Sequence, residues 1–208
     1  MTENSGGGNA SRRIAIGIGG TSARKHWPPQ MYGELIKSLL DEDDEYRFLI
    51  IGGPEDHEEA KIITNLVGER YAADFTQIFN FRQSAGAIGM CSCYIGNDTS
   101  TMHLAAAHGL PILSPNCYPL SLGLERRSVP VVYAPQNVPV VMALPREAKA
   151  ECVHSKDEYG CQILNRPHCI TQVSPNLMLA GFHLLQKMKD KGLSERRYIV
   201  SVADGQKI

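Results

Sequence analysis

The sequence has no long run of basic residues and no long run of apolar ones. Its 21 Lys and Arg residues nearly balance 22 Asp and Glu residues, giving a formal net charge of −1 over 208 residues. Balanced charge of this kind argues against nucleic acid as the main partner. No stretch approaches the roughly 20 apolar residues that span a bilayer, and the Gly-, Ser- and Asn-rich residues 1–13 lack the apolar segment of a secretory signal. We therefore expect a cytoplasmic protein in which residues 1–13 are a flexible lead-in or a remnant of cloning.

The closely paired cysteine spacing of most zinc sites is also absent. None of the six cysteines forms a C-x2-C pair, and they are Cys91, Cys93, Cys117, Cys152, Cys161 and Cys169. His154 and His168 lie near the last three cysteines in the sequence. In a reducing compartment, partly buried free thiols are the expected state. The sequence therefore predicts no metal site.

The sequence instead contains repeated units of a short apolar strand, a glycine turn and an amphipathic helix. Residues 14–20 (IAIGIGG) and 46–53 (YRFLIIGG) are apolar runs that end in glycines, as buried parallel strands often do. Further strands are predicted at residues 94–96 and 111–114, and a weaker one at residues 75–79. Helices are predicted at residues 31–40, 55–67, 84–90 and 101–108 and after Pro175. This alternation predicts an α/β domain with a doubly wound, Rossmann-like parallel sheet over residues 14–192, followed by a tail at residues 193–208.

Glycines and polar side chains follow three of the predicted strands. We call the segments that follow these strands the first, second and third strand exits. They contain Gly19-Gly20-Thr21-Ser22 with Lys25, then Gly52-Gly53 with Glu55 and Asp56, and then Asp98-Thr99-Ser100 with His103. Open parallel sheets bind their ligands outside the carboxyl ends of the strands. We therefore expect the three exits to form one binding site.

The third exit is the most suggestive of a phosphate. Thr99 and Ser100 fall at a predicted helix start, where free amides and the positive end of the helix dipole favour an anion. Asp98 then either caps the helix or accepts hydrogen bonds from sugar hydroxyls. At the first exit, the hydroxyls and the Lys25 ammonium suit phosphate oxygens, although the spacing is neither a dinucleotide fingerprint nor a P-loop. Taken alone, the third exit also fits an ordinary helix cap followed by a core histidine, His103.

The order and spacing of these motifs resemble glycosyltransferase family 9, the lipopolysaccharide heptosyltransferases. The resemblance lies in Lys25-His26-Trp27-Pro28, in Ile50-Ile51-Gly52-Gly53-Pro54 and in residues 96–107 (GNDTSTMHLAAA). It covers residues 14–112 and, more loosely, Cys152, Cys161, Cys169-Ile170-Thr171 and the last helix. The similar part of the family is its C-terminal, nucleotide-sugar-binding domain. The resemblance thus implies one half of a two-domain GT-B glycosyltransferase.

The same resemblance implies where the donor is bound. Thr21, Ser22 and Lys25 would face the donor phosphates, while Asp98, Thr99, Ser100 and His103 would line the phosphate and sugar side. Either Glu55 or Asp56 would meet the ribose or the base. Two departures from the family pattern bear on how the donor is held: Ser100 stands where glycine is usual, and Pro115-Asn116 replace a glycine-containing loop.

The resemblance also implies a reaction. Family members transfer heptose from ADP-heptose to a lipopolysaccharide core acceptor at the inner membrane face, with inversion and without a metal or other cofactor. A base deprotonates the acceptor hydroxyl, and Lys25 and the helix amides would stabilise the departing diphosphate. The base and the acceptor site are expected on an N-terminal domain that this sequence does not contain. We therefore expect an incomplete transferase that binds the donor and would approach the membrane only through that other domain.

Two other functions fit the same motifs. The domain could be a free-standing nucleotide-binding module without catalysis, which an upstream in-frame α/β domain would exclude. It could also be a relative of nucleotide-sugar epimerases, which turnover of a nucleotide sugar without any acceptor would favour.

Overall fold

The computed structural model describes residues 12–124, 129–153 and 161–200. Its strands are β1 (Arg13–Gly17), β2 (Arg47–Ile51), β3 (Ala72–Asp74), β4 (Cys93–Gly96), β5 (Ile112–Pro115), β6 (Val140–Leu144) and β7 (Arg196–Val200). Its α-helices are α1 (Pro29–Glu42), α2 (His57–Val67), α3 (Phe81–Gly89), α4 (Ser100–Ala107), α5 (Val129–Val132) and α6 (Pro175–Asp190). Short 3-10 helices lie at Ala23–Lys25, Pro54–Asp56, Leu120–Leu122 and Cys169–Gln172. Most of the predicted lead-in (residues 1–11) and His154 lie outside the described residues.

The strands form one parallel sheet in the order β3-β2-β1-β4-β5-β6-β7. From β1 the chain winds outward to β3, returns to β4 beside β1, and then winds outward the other way. The strand order therefore reverses between β1 and β4, which is where open α/β sheets form their ligand crevice. The predicted doubly wound, Rossmann-like α/β class is confirmed.

Both faces of the sheet are covered, which explains why residues 14–16 of β1 and 93–95 of β4 are all buried. Successive residues of β1 point to opposite faces. Ile14 and Ile16 join a core with α1, α2 and α6, whereas Ala15 joins a second core with α3 and α4. Because the two layers hold β1 and β4 from both sides, the exits of these strands are fixed in position.

The predicted strand at residues 75–79 is wrong. The third strand is β3, immediately before it, and the Phe75 and Phe79 rings stack on each other in the following turn, with centroids 4.4 Å apart. Both rings pack against the second core, so their apolar character serves packing rather than strand pairing. The helix predicted from residue 84 begins earlier, at Phe81, because Asn80 and Gln83 form a capping box.

The sheet also continues past the predicted end of the domain. β6 lies in a proline-rich stretch for which no strand was predicted, and its five residues are all buried. β7 lies within residues 193–208, which were predicted to be a tail, and pairs with β6 from Val140↔Arg196 to Leu144↔Val200. The boundary at residue 192 is therefore corrected. Within the described part of the chain, no helix is both long and apolar enough to cross a membrane.

Candidate functional site

The two central strands approach each other closely at their carboxyl ends. A Cβ on Gly96 would lie 2.6 Å from the Tyr94 hydroxyl and 2.7 Å from the Gly17 amide nitrogen, so neither glycine leaves room for a side chain. The buried Tyr94 hydroxyl is 3.2 Å from the Asn97 carbonyl, to which it donates, and 2.9 Å from the Thr101 hydroxyl. Burial raises the pKa of Tyr94, so it stays a neutral phenol that can donate a hydrogen bond. This phenol ties the start of α4 to the end of β4.

Asn97 joins the loop after β1 to the end of β4. Its side chain is fully buried, and its Oδ1 accepts hydrogen bonds from the Trp27 amide (3.0 Å) and the Tyr32 hydroxyl (2.9 Å). Its Nδ2 donates to the Ile18 carbonyl. Sequence reasoning quoted Asn97 within a motif but gave it no role, because its partners lie far away in the chain.

Lys25 crosses from the first exit to the third. Its ammonium donates to Asp98 Oδ2 at 3.0 Å and to the Asp98 carbonyl oxygen at 3.2 Å, while Asp98 is only 5% exposed. Asp98 therefore orients a cation and does not cap α4. The N-cap residue is Thr99, whose hydroxyl contacts the Thr101 hydroxyl (3.0 Å) and makes no capping hydrogen bond. An ammonium and the uncapped first turn of a helix thus lie side by side.

The three exits meet at one cavity of about 710 Å³, a volume within the usual range for small-molecule sites. The predicted site residues that line it are Thr21, Lys25, Glu55, Asp56, Asp98, Thr99, Ser100 and His103. Ser22 does not line it, because its hydroxyl donates to the Leu164 carbonyl at 3.4 Å. Sequence reasoning missed the lining residues Phe79, Phe81 and Tyr133. Phe81 and Tyr133 are 62% and 49% exposed, and such exposed aromatic rings suit stacking against a planar ligand.

Glu55 and Asp56, which the sequence could not separate, have different roles in the structure. Asp56 is 3% exposed, and its Oδ2 accepts the Gly53 amide at 2.7 Å. A Cβ on Gly19 or on Gly52 would lie 2.5 or 2.7 Å from the same oxygen. Burial raises the pKa of Asp56. Asp56 therefore closes the turn, whereas Glu55 is exposed and offers the available carboxylate.

His26 is a further residue to which sequence reasoning gave no role. Its Nε2 lies 2.9 Å from the Gly20 carbonyl and its Nδ1 lies 3.5 Å from Glu59 Oε1. With an acceptor at each nitrogen, the ring is best satisfied when it carries both protons. The hydrogen bond to Glu59 is the main cause that raises the pKa of His26, and burial opposes it. His26, Asp56 and Glu59 bring their ligand atoms within 4.8 Å of one another, but a doubly donating imidazolium leaves no lone pair for a metal.

We expect His26→Ala to destabilise the domain most at low pH. A pKa raised above its ordinary value of 6.5 means that the protonated ring favours the folded state. That contribution is fully present below pH 6.5 and is lost as the pH rises through the folded-state pKa. The loss of unfolding free energy caused by His26→Ala should be larger at low pH than at high pH by about 1 kcal/mol. Urea unfolding of wild type and variant across pH measures this loss. His183→Ala, which removes an exposed pair with Glu42, is the control; an equal loss for His26→Ala at every pH would contradict the prediction.

Comparison with known proteins identifies the family. The model of glycosyltransferase family 9 (heptosyltransferase) matches residues 4–115, which is more than half of the chain. The chain belongs to this family. It is also 34% identical over 96 residues to lipopolysaccharide heptosyltransferase 2 of Escherichia coli K12, and 33% identical to the Salmonella typhimurium protein. The match covers 43% of this chain and 26% of each relative.

Solved structures agree on the fold. When the chain is superposed on E. coli ADP-heptose heptosyltransferase II, 87% of its residues are matched, with a TM-score of 0.62 and 20% sequence identity. The match to E. coli WaaC with ADP-2-deoxy-2-fluoro heptose covers 86% of the chain, with a TM-score of 0.52 and 18% identity. The match to TibC, a dodecameric, iron-containing glycosyltransferase of E. coli, also covers 86% of the chain, with a TM-score of 0.54 and 15% identity. The chain spans 44% to 48% of the lengths of these three proteins. The predicted relation to GT-B heptosyltransferases is confirmed.

Proposed function

We propose that the cavity binds the nucleoside diphosphate of a nucleotide sugar, ADP-heptose in particular, as the donor half of a heptosyltransferase. The observation that carries this proposal is the position of the Lys25 ammonium beside the first turn of α4, at the rim of one cavity. Relatives of the same family support the identity of the donor, since one is called an ADP-heptose transferase and another was solved with an ADP-heptose analogue. The family match also favours a transferase over an epimerase relative or a bare binding module.

In this proposal the diphosphate lies between Lys25 and the start of α4. Amides of the first turn donate to the phosphate oxygens, and the Thr21 and Thr99 hydroxyls can donate as well. Lys25 adds a charge-assisted hydrogen bond, and its pairing with Asp98 holds the ammonium in place before the donor arrives. As the bond between sugar and phosphate breaks, negative charge grows on the diphosphate, and these fixed donors stabilise it.

The remaining lining residues give the donor its orientation. Glu55 is the exposed carboxylate for ribose hydroxyls, and the aromatic rings of Phe79, Phe81 and Tyr133 offer faces for the base. Ser100 replaces the usual glycine without a strained backbone, since Asn137 is the only non-glycine residue with positive φ in the described ranges. His103 is exposed at the same cavity and would contact the donor on the sugar side.

A direct test is calorimetric titration of the 208-residue chain with ADP, and then with AMP and UDP. ADP should bind and AMP should bind about tenfold or more weakly, because one phosphate cannot satisfy both Lys25 and the helix start. UDP carries the same diphosphate as ADP with a different base, so the difference in affinity between UDP and ADP measures recognition of the base. Equal binding of ADP and AMP would contradict the placement of the diphosphate.

Donor binding should not require Mg²⁺. Lys25 and the dipole of α4 supply the positive charge, and of the carboxylates at the cavity Asp56 and Asp98 already have partners. We expect ADP affinity to change less than about threefold when Mg²⁺ is added to a metal-free buffer. A tenfold or greater gain on adding Mg²⁺ would show that a cation shares the phosphates.

The chain alone should transfer no sugar even where it binds the donor. Attack on the anomeric carbon needs a base within hydrogen-bond reach of the acceptor hydroxyl, and a second surface to orient that acceptor. We propose that both lie on a facing domain of the kind that makes up the rest of the structural relatives, of which this chain spans less than half. Mass spectrometry after incubation with ADP-heptose and a lipopolysaccharide core acceptor should show no product above background. Acceptor-dependent turnover would mean that a base lies within these residues.

A further inference from the structure

Three cysteines and one histidine gather outside the cavity. Ligand atoms of Cys152, His168 and Cys169 all lie within 4.8 Å of one another. Cys152 also hydrogen-bonds through its side chain to Cys161 and Cys169. Cys161, His168 and Cys169 are buried, with 5%, 1% and 0% of their surface exposed. The cluster therefore brings three sulfur atoms and one imidazole into one neighbourhood, in which Cys152 is half-buried and connects Cys161 to the other two residues.

The backbone around the cluster is arranged to hold the sulfur atoms. The Gln162 amide donates to the Val153 carbonyl at 2.8 Å, so the segments that carry Cys152 and Cys161 pair directly. The Ile163 amide lies 3.4 Å from Cys161 Sγ, and the Lys149 amide lies 3.4 Å from Cys169 Sγ. Such backbone contacts to sulfur atoms are the outer contacts that commonly orient metal ligands.

His168 is oriented as a metal-binding histidine would be. Its Nδ1 lies 3.2 Å from Cys169 Sγ, and its Nε2 lies 3.4 Å from the Ile163 carbonyl. Ligating histidines commonly donate the proton of the other ring nitrogen to a backbone carbonyl or a carboxylate. With its proton on Nε2, His168 presents the Nδ1 lone pair to Cys169 Sγ.

We propose that Cys152, Cys161, Cys169 and the Nδ1 atom of His168 bind one thiophilic divalent cation, Zn²⁺ or Fe²⁺, in a closed tetrahedral site. Three sulfur ligands and one nitrogen suit such ions, and a set without an open position is structural rather than catalytic. The sequence predicted no metal because none of these cysteines forms a C-x2-C pair. The fold instead assembles the ligands from two separate segments.

Such a site would stabilise the loop that carries Lys25. The Cys161 carbonyl accepts a hydrogen bond from the Arg24 guanidinium at 2.8 Å, and the Leu164 carbonyl accepts one from the Arg24 amide at 3.3 Å. Residues of the cluster segment are thus attached to the 3-10 helix at Ala23–Lys25. The cation would hold that segment against the exit of β1 without touching the donor.

Elemental analysis tests the site without any donor or activity. The untagged 208-residue chain is expressed in cells whose medium contains both zinc and iron. It is purified under reducing conditions and assayed for both elements. We expect one equivalent of zinc and iron combined, with their ratio identifying the ion. Cys161→Ser and Cys169→Ser should each lower the metal content by at least about tenfold. Cys91→Ser, which changes a buried thiol outside the cluster, should keep the full amount.

A second measurement covers the case in which the serine variants fail to fold. Wild-type chain stripped by a chelator and then given Co²⁺ should show the visible absorption of tetrahedral cobalt–thiolate, and its Tm should rise because the ion binds only the folded state. Wild type without stoichiometric metal and without this cobalt spectrum would overturn the proposal, as would full metal content in the folded Cys161→Ser and Cys169→Ser variants.

Discussion

Gly96→Ala is expected to lower the free energy of unfolding by about 3 kcal/mol or more, the upper end of the cost of overpacking a core. The new Cβ would lie 2.7 Å from the Gly17 amide nitrogen and nearer still to the Gly17 carbonyl oxygen. These are backbone atoms of the neighbouring central strand, so they cannot rotate away as a side chain could. The β1–β4 pair would have to separate at the end that forms the cavity.

Urea unfolding followed by circular dichroism measures this loss. Gly86→Ala is the matched control, because an added Cβ in that exposed helical position has no atom within 4 Å. We expect the control to be stabilised by up to about 1 kcal/mol through helix propensity. A Gly96→Ala variant as stable as wild type would show that the central strands can separate without cost.

Lys25→Ala is expected to weaken ADP binding by about ten- to a hundred-fold, corresponding to a charge-assisted hydrogen bond of roughly 1.5 to 3 kcal/mol. Two effects act in the same direction. The diphosphate loses a donor, and the nearly buried Asp98 carboxylate loses its partner and repels the phosphates. Lys61→Ala is the control, since Lys61 carries the same charge in an exposed pair with Glu58. Equal ADP affinity for wild type and Lys25→Ala, measured by calorimetry, would place the phosphates elsewhere.

The double variant Lys25→Ala with Asp98→Asn separates the two effects. If repulsion by Asp98 contributes, the double variant should bind ADP more tightly than Lys25→Ala alone, because the amide carries no charge. If only the lost donor matters, the two variants should bind equally. Circular dichroism of each protein confirms that folded material is compared.

Sequence reasoning found the elements whose pattern is local. β1 and β2 are apolar runs that end in glycines, and polar residues follow them directly in the sequence. Because these patterns involve neighbouring residues, the sheet class and most of the cavity lining could be predicted. β6 and β7 were not predicted, because β6 lies in a proline-rich stretch and β7 follows a charged segment. They become strands only by pairing with an existing sheet edge.

The features that were missed depend on contacts between distant residues. Asn97 lies 70 positions from Trp27, and Lys25 lies 73 positions from Asp98. The choice between Glu55 and Asp56 required knowing which carboxylate is buried by Gly19 and Gly52. The cysteine cluster has no local spacing signature, since Cys152 and Cys161 meet only through backbone pairing of their segments. Sequence patterns therefore predict periodic elements and turns well, but they do not show which distant side chains contact each other.

A crystal structure of the 208-residue chain with ADP tests the central claim most directly. The account predicts the diphosphate at the first turn of α4, with the Lys25 ammonium within hydrogen-bond distance of a phosphate oxygen and Glu55 near the ribose or base. ADP bound elsewhere, or bound with its phosphates away from both Lys25 and Thr99–Thr101, would contradict it.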